Sequence, residues 1–300
     1  MLKIAYHPIY THPLPEKHRF PMIKYELLPE QLLHEGTCSK ENFFKPEIPN
    51  PKYILAVHTA AYYDSLVSLS LSPKAVRKTG FPLSKALVNR EVIIADGTIK
   101  ASEYALKHGI AMNIAGGTHH AYTDRGEAFC LLNDQAIGSK YLLQQGLAKK
   151  ILIVDLDVHQ GNGTAEIFDN NPSVFTFSMH GANNYPFKKE KSDLDIDLPD
   201  KTDDQAYLKI LKERFPKLIK DQQPDFIYYL SGVDILATDK LGKLGCTIDG
   251  CAERDRFVLQ TCKDLSIPVM CSMGGGYSPD IKIIIEAHAN TFRLAQDIFF

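Results

Sequence analysis

The residues best suited to chemistry lie in Ile151 to Thr164, ILIVDLDVHQGNGT, where an apolar run ends in two acids and a histidine and then breaks into glycines. Read as a strand running into a turn, its period of two puts Asp155, Asp157 and His159 on one face and Leu156 and Val158 on the other. Acid and imidazole two residues apart can reach one divalent ion, and Asp-x-His without cysteine suits zinc or another borderline metal. The plain alternative is a strand end with solvated polar side chains. Asp234, in Ser231-Gly232-Val233-Asp234, offers a third ligand and leaves a fourth tetrahedral position for water, although a lone loop aspartate is more often a cap or turn residue. His119 and His120 follow Gly116-Gly117-Thr118. Adjacent side chains diverge, yet both imidazoles can line one pocket and hold two protonation states near neutral pH. The alternative is a solvated pair on a turn. Tyr277 follows three glycines, where a sharp backbone turn can aim its hydroxyl at a developing oxyanion, or where it is only a structural tyrosine.

These clusters need elements to position them, and the sequence reads as alternating strand and helix. Leu2 to Tyr6 is a short strand, and Tyr10 to Pro21, with Pro13, Pro15, Pro21, His12 and His18, is a loop. Residues 22 to 34 have helical spacing, and proline-rich Lys45 to Lys52 leads into a short apolar segment around Tyr53 to Val57. Ser84 to His108 is mostly helical, with an interruption expected at Asp96-Gly97 and a stop at Gly109. Ile110 to Ala115 is a strand that ends in the histidine loop, and Asn133 opens a helix to about Gly146. After the Ile151 strand come a short helix at Thr164 to Phe168, a strand at Val174 to Met179 and a polar loop to Pro199. Thr202 and Gln205 match a capping box, so a helix is expected from there to about Lys220. Phe226 to Leu230 is a strand, 250 to 265 a helix, Ile267 to Ser272 a strand and 280 to 297 the closing helix. This alternation predicts an α/β fold, one open, mostly parallel sheet with helices on both faces. Four strands end in polar clusters, which such a sheet gathers at its carboxyl edge. No composition shift splits the chain, so residues 1–300 are expected to form one domain.

The composition excludes several classes of function. Hydrophobic residues at 44% and charged residues at 23% are those of a globular protein, and a net charge of -2 gives no draw toward nucleic acid. No apolar run approaches the roughly 18 to 20 residues that span a bilayer, and MLKIAYHPIY lacks a signal peptide's apolar core, so a cytoplasmic location without membrane attachment is expected. The six cysteines are scattered, with no CxxC pair, which favours reduced thiols.

GGTHHAYTDRGEAFCLLND, DLDVHQGNG, GVD and GGGY, in this order and separation, resemble the histone deacetylase superfamily, including its bacterial deacetylase-like and acetoin-utilisation members. The resemblance spans nearly the whole chain and implies the arginase/deacetylase fold. It implies one zinc ion per chain on Asp157, His159 and Asp234, with water and the substrate carbonyl completing the site. His120 would serve as general base and then acid. His119, oriented by Asp155, would act as its electrostatic partner. Tyr277 would polarise the carbonyl and stabilise the oxyanion. Phe129 and Gly275 match the walls of an acyl channel. The family's monovalent-cation sites imply potassium at Asp155, Asp157, His159 and Ser178, with Phe168 near a second position. Asn162 stands where many relatives carry an aspartate supporting the second histidine, and Ala128 replaces a usual glycine. GVDILATDKLGKLG and DLDVHQGNG look closest to the class IV branch, some of which prefers long acyl chains.

Lowering the pKa of water from about 15.7 to about 7 is worth roughly 12 kcal/mol, so the metal dominates activation in such a site. An oxyanion donor contributes about 2.7 to 4 kcal/mol and a general acid/base roughly 10² to 10⁴ in rate, which ranks Tyr277 and His120 next. The expected activity is zinc-dependent hydrolysis of an acyl amide, on an acyl-lysine protein or peptide or on a small acylated amine such as an acetylpolyamine. A binuclear ureohydrolase is disfavoured because Gly161 stands where its further aspartate ligand is required. A metal-bearing scaffold that binds acylated ligands without cleaving them is the remaining alternative, and the retention of His119, His120 and Tyr277 argues against it.

Overall fold

The computed structural model describes residues 1–300. Its strands are β1 (Lys3–Ala5), β2 (Phe43–Phe44), β3 (Ile110–Asn113), β4 (Ile151–Asp155), β5 (Val174–Gly181), β6 (Leu194–Leu198), β7 (Phe226–Leu230) and β8 (Val269–Ser272). They form one 8-stranded sheet in the order β2-β1-β3-β8-β7-β4-β5-β6, and every pairing is parallel. The four strands β3, β8, β7 and β4 are buried at every residue, which is why each reads as a continuous apolar run and not as an alternation. Their ends lie abreast. Asn113 pairs with Ser272, Ser272 with Leu230, and Leu230 with Asp155. The four polar clusters of the sequence follow these four adjacent ends.

The helices are α1 (Lys24–His34), α2 (Pro51–Leu55), α3 (Ala60–Val67), α4 (Pro73–Thr79), α5 (Lys85–His108), α6 (Asp134–Gln144), α7 (Asn162–Ile167), α8 (Asp204–Gln222), α9 (Ile248–Asp264) and α10 (Ile281–Phe299). None is long and apolar enough to cross a membrane. Two neighbouring tyrosines of β7 show that helices cover both faces, since consecutive strand residues point opposite ways. Tyr228 Oη bonds Ser102 of α5 at 2.8 Å. Tyr229 Oη bonds Asp255 of α9. One connected apolar core of 76 buried residues, from Leu2 to Phe299, joins both layers to the sheet. All six cysteines are buried and unpaired.

Four local expectations need correction. First, α5 runs without a break through Asp96-Gly97, because Gly97 is a packing residue: a Cβ there would lie 2.5 Å from Tyr10 Oη and 3.2 Å from the Ala5 side chain, so its absence lets the helix sit on the sheet. Second, α8 is capped by Asp203, whose carboxylate accepts from Ala206 N at 2.9 Å, while the Thr202 hydroxyl donates to Pro199 O instead. Third, the polar loop before Pro199 contains the edge strand β6. Finally, β4 ends at Asp155, so Asp157 and His159 lie beyond the strand, and it is not strand alternation that brings them together.

Candidate active site

The turn after β4 is built by its own acids. Asp155 Oδ1 accepts from Asp157 N at 3.2 Å, and Asp157 Oδ1 accepts from His159 N at 3.0 Å. Successive side-chain-to-backbone bonds of this kind fold the chain tightly and leave the imidazole facing its neighbours. Asp234, on the loop after β7, is fully buried. Its Oδ1 accepts from Val158 N at 2.9 Å, and Asp157 Oδ2 accepts from Gly275 N at 2.9 Å. Backbone N–H groups thus hold both oxygens of Asp157 and one of Asp234, and Asp157 Oδ1 and Asp234 Oδ2 face His159 Nδ1 at 3.0 Å and 3.1 Å. The ligand atoms of Asp157, His159 and Asp234 all lie within 4.8 Å of one another.

This donor set fits a small divalent cation. Zinc bonds of about 2.0–2.1 Å in a tetrahedron separate the ligand atoms by about 3.3 Å, close to the spacing observed. Nδ1 carries at most one proton yet faces two carboxylate oxygens. The charges show the same excess. Burial and the Asp157 charge push the Asp234 carboxyl up to about 7, and although burial opposes protonation of His159, its two acid neighbours push it up to about 10.

His119 and His120 stand beside this cluster with ring centroids 4.1 Å apart. Despite adjacency, both line one cavity. His119 Nδ1 is 2.6 Å from Asp155 Oδ2, and its Nε2 is 3.9 Å from Asp157 Oδ1. Burial lowers its basicity, but Asp155 and Asp157 outweigh that and hold it above the ordinary histidine value. His120 Nδ1 is 2.6 Å from Asn162 Oδ1, and Asn162 Nδ2 donates to Tyr122 Oη at 2.9 Å. An amide oxygen only accepts, so Nδ1 of His120 carries the proton and Nε2 is a free base. Burial first, then the neighbouring His119 and His159, hold His120 well below the ordinary value. Its surroundings disfavour the proton that those of His119 favour.

Tyr277 closes the opposite wall, its ring 6.4 Å from that of His159 and 6.1 Å from that of Phe129. Its backbone N–H donates to Asp239 at 2.6 Å, which fixes the glycine turn. Burial, then the charges of Asp157 and Asp234, keep its phenol protonated far above its usual range, so it remains a donor. Phe129 is aimed by strained backbone: Ala128 and Phe129 have φ of 43° and 69°, and their N–H groups bond Lys78 O and Thr79 O at the end of α4. An inner cavity of about 40 Å³, lined by both histidines, Asp157, Phe129, Gly275 and Tyr277, meets an outer one of about 430 Å³ that shares His120, Phe129, His159 and Tyr277. Together they make a channel. Ser178 pairs with Asp155 in the sheet, and Phe168 is buried at the end of α7 beneath the Lys140 ammonium.

Several residues that hold this site escaped the sequence reading. Lys24 is fully buried, its ammonium donating to Gly274 O at 3.0 Å among the rings of Phe20, Tyr25 and Tyr277. Burial lowers its pKa to about 8 against the pull of Asp234 and Asp157. Its signal was present, since Lys24, Leu28 and Leu32 share the apolar stripe of α1 at spacings of four. Arg254, also fully buried, donates to the carbonyls of Leu156, Ser231 and Gly232 and so binds the β4 and β7 loops together. Asp134 ties Thr118 to Ser272 and Thr98.

Residues 17–292 match the family model described as the histone deacetylase domain. An uncharacterized protein of Picosynechococcus sp. is 45% identical over 296 residues, covering 99% of each chain. Histone deacetylase 2 of Arabidopsis thaliana is 28% identical over 288 residues, covering 92% of this chain and 74% of that one, and the acetoin utilization protein AcuC of Staphylococcus aureus is 25% identical over 92% of this chain and 77% of its own. Among solved structures, an HDAC homolog complexed with SAHA superposes with a TM-score of 0.85 at 24% identity, over 99% of this chain and 84% of that one. An HDAC homolog from Aquifex aeolicus gives 0.83 at the same identity, over 98% and 84%. The common fold is the arginase/deacetylase type.

Proposed function

The chain belongs to the histone deacetylase family, whose chemistry is deacetylase-type hydrolysis, and from that premise we propose a zinc-dependent enzyme that cleaves an Nε-acyl-lysine amide to free amine and carboxylate. The observation that carries this reading is the convergence of Asp157, His159 and Asp234 within 4.8 Å, beside two imidazoles of opposite protonation tendency and a phenol held as donor. Asp157, His159 and Asp234 would hold the metal, which when bound polarises a carbonyl and acidifies water.

The chain's own groups supply the rest. His120 Nε2, kept neutral, takes the proton from water as the oxygen adds to the amide carbon, and returns it to the amine nitrogen as the C–N bond breaks. Asn162, oriented by Tyr122, holds His120 in the tautomer this needs. His119, drawn toward its protonated form by Asp155, would offset negative charge developing at the carbonyl oxygen. Tyr277 Oη donates to that oxygen. Phe129 and Tyr277 flank the linear chain of the substrate and exclude water from it, and the small inner cavity favours a short acyl group. Asp155 and Ser178, abreast in the sheet, would contribute with Asp157 and His159 to a secondary potassium site, with Phe168 near a second.

The test is turnover on one lysine peptide bearing acetyl, octanoyl or myristoyl groups, with metal-free and zinc-loaded protein side by side. Zinc-dependent release, fastest for acetyl, is expected. Absence of release from every acyl peptide, and from an acetylated polyamine, by protein holding one zinc per chain would refute the hydrolase.

A further inference from the structure

An acyl-lysine enters such a channel acyl end first, so the groups on its amine side stay at the mouth. What the mouth presents therefore sorts substrates. The outer cavity is lined by three cations, Arg19, Lys78 and Lys243, and by no aspartate or glutamate. Arg19 comes from the proline-rich loop before α1. It is exposed, its guanidinium lies 4.9 Å from the centre of the Phe129 ring, and no carboxylate pairs with it. Lys243 is exposed and likewise without an acidic partner. Lys78 does have one, Glu127 at 3.1 Å, but Arg125 reaches the same carboxylate oxygen at 3.1 Å and the Tyr185 hydroxyl bonds the other at 2.6 Å. That single acid is already shared.

The loop between β5 and β6 adds to the imbalance. Lys189 Nζ donates to the carbonyls of Asn184 at 2.6 Å and Pro186 at 2.7 Å, which fixes the segment carrying Tyr185 to the rim without neutralising the ammonium. The acids nearest Lys189, Asp195 and Asp197, attract its ammonium, but neither forms an ion pair with it, and Asp195 is already bonded to Gln160 and Ser192. The chain as a whole is weakly negative, so the positive rim is local. Charge gathered at the rim of a cleft steers and selects ligands of the opposite sign.

We propose that the mouth selects substrates with a carboxylate on the amine side of the scissile amide, and that it disfavours acylated polyamines, whose free end is an ammonium. This rests on the hydrolase reading and narrows it. The carboxylate comes either from an Asp or Glu beside the acyl-lysine in a peptide or from the α-carboxylate of Nε-acyl-lysine itself. Exposed charges in water act weakly one by one, so two unpaired cations give about a threefold to tenfold preference at roughly 0.05 M salt, most of it gone at roughly 0.5 M.

The experiment compares zinc-loaded protein on acetyl-lysine peptides that differ only in Asp, Ala or Lys at the two neighbouring positions, on free Nε-acetyl-lysine against its amide, and on a monoacetylated diamine. Both kcat/KM and the Kd of fluorescently labelled peptides are measured. The expected order is Asp over Ala over Lys, with the diamine poorest and the differences shrinking with salt. Arg19→Glu with Lys243→Glu inverts the order, a gain that misfolding cannot imitate. A preference for the free acid over its amide, with no effect of peptide neighbours, assigns the carboxylate to lysine itself. Equal kcat/KM and equal Kd across the peptides and the free acid, or a preference for Lys or the diamine, overturns the proposal and leaves the hydrolase standing. The predicted order in Kd with no turnover overturns the hydrolase and leaves charge selection standing.

Discussion

Replacing Gly275 by alanine adds one methyl group against both carboxylates of the proposed metal site. Gly275 sits between the two carboxylates proposed as ligands, and a Cβ built there lies 2.1 Å from Asp234 Oδ2, 2.8 Å from Asp157 Oδ2 and 2.9 Å from Asp234 Cγ. Real Cβ contacts essentially never fall below 3.0 Å, so Asp234 Oδ2 must retreat by about 0.9 Å. That oxygen is the one facing His159 Nδ1 at 3.1 Å. It has nowhere to swing, because the other oxygen is fixed on Val158 N and the residue is fully buried. Metal–ligand distances tolerate only about ±0.2 Å, so the displacement removes Asp234 as a ligand. Since losing a mere supporting contact costs about 10- to 100-fold in metal affinity, Gly275→Ala should weaken zinc by more than about 100-fold, with about 1–3 kcal/mol of overpacking cost to the fold. Metal content after dialysis against a graded chelator, read beside thermal unfolding of the metal-free protein, measures both. Gly146→Ala is the contrast. Its φ is +66° and nothing lies within 4 Å of the new Cβ, so it should cost about 1 kcal/mol of stability and leave metal affinity alone. A Gly275→Ala protein that keeps one zinc per chain at wild-type affinity would refute the steric argument and the ligand assignment of Asp234.

Tyr277→Phe should keep its zinc and lose about 10²- to 10³-fold in kcat, since it removes one donor and no ligand; unchanged turnover takes the phenol out of the mechanism. On the far surface, hydrogen bonds from Arg293, opposed by partial burial, lower the Glu35 carboxyl to about 2. A folded pKa below the unfolded one means the pair stabilises above the unfolded value of about 4.3 and loses this as pH falls toward 2. Arg293→Met should therefore be less stable than wild type by about 0.5–1 kcal/mol at pH 6, a partly exposed pair being screened, and the gap should close on acidification. Urea unfolding at pH 6 and pH 3 reads it, and a gap that widens at pH 3 reverses the sign of the argument.

The reactive residues were legible because their types are rare at strand ends. Asp155, Asp157 and His159 stand out by type and spacing, whereas Asp234 taken alone reads as readily as a cap or turn residue. What the sequence did not show is how they converge: β4 stops at Asp155, and the approach of Asp157 to His159 is made by side chains bonding backbone, which has no periodic signature. Contacts far apart in sequence were equally silent. Gly97 reads as a helix breaker until Tyr10 is seen against it, and Arg254 reads as a surface charge of α9 until its three carbonyl partners are known. Strand β6 alternates Leu and Ile with Asp, but so much charge looks like loop, and only its pairing with β5 makes it a strand. Thr202 and Asp203 are both competent caps, and Pro199 O decided between them by taking the threonine hydroxyl.

The position of β8 has a consequence for the order in which the protein is made. The last strand to be synthesised does not add to an edge; it enters between β3 and β7 and alone joins β2-β1-β3 to β7-β4-β5-β6. Until Val269–Ser272 leaves the ribosome, two half-sheets with exposed parallel edges wait on a contact 159 residues back in the chain, the kind of distant pairing that folds slowly and invites aggregation. A nascent chain halted at residue 268 would already carry Asp157, His159, Asp234 and both histidines, with neither the strand that aligns them nor the tyrosine that faces them.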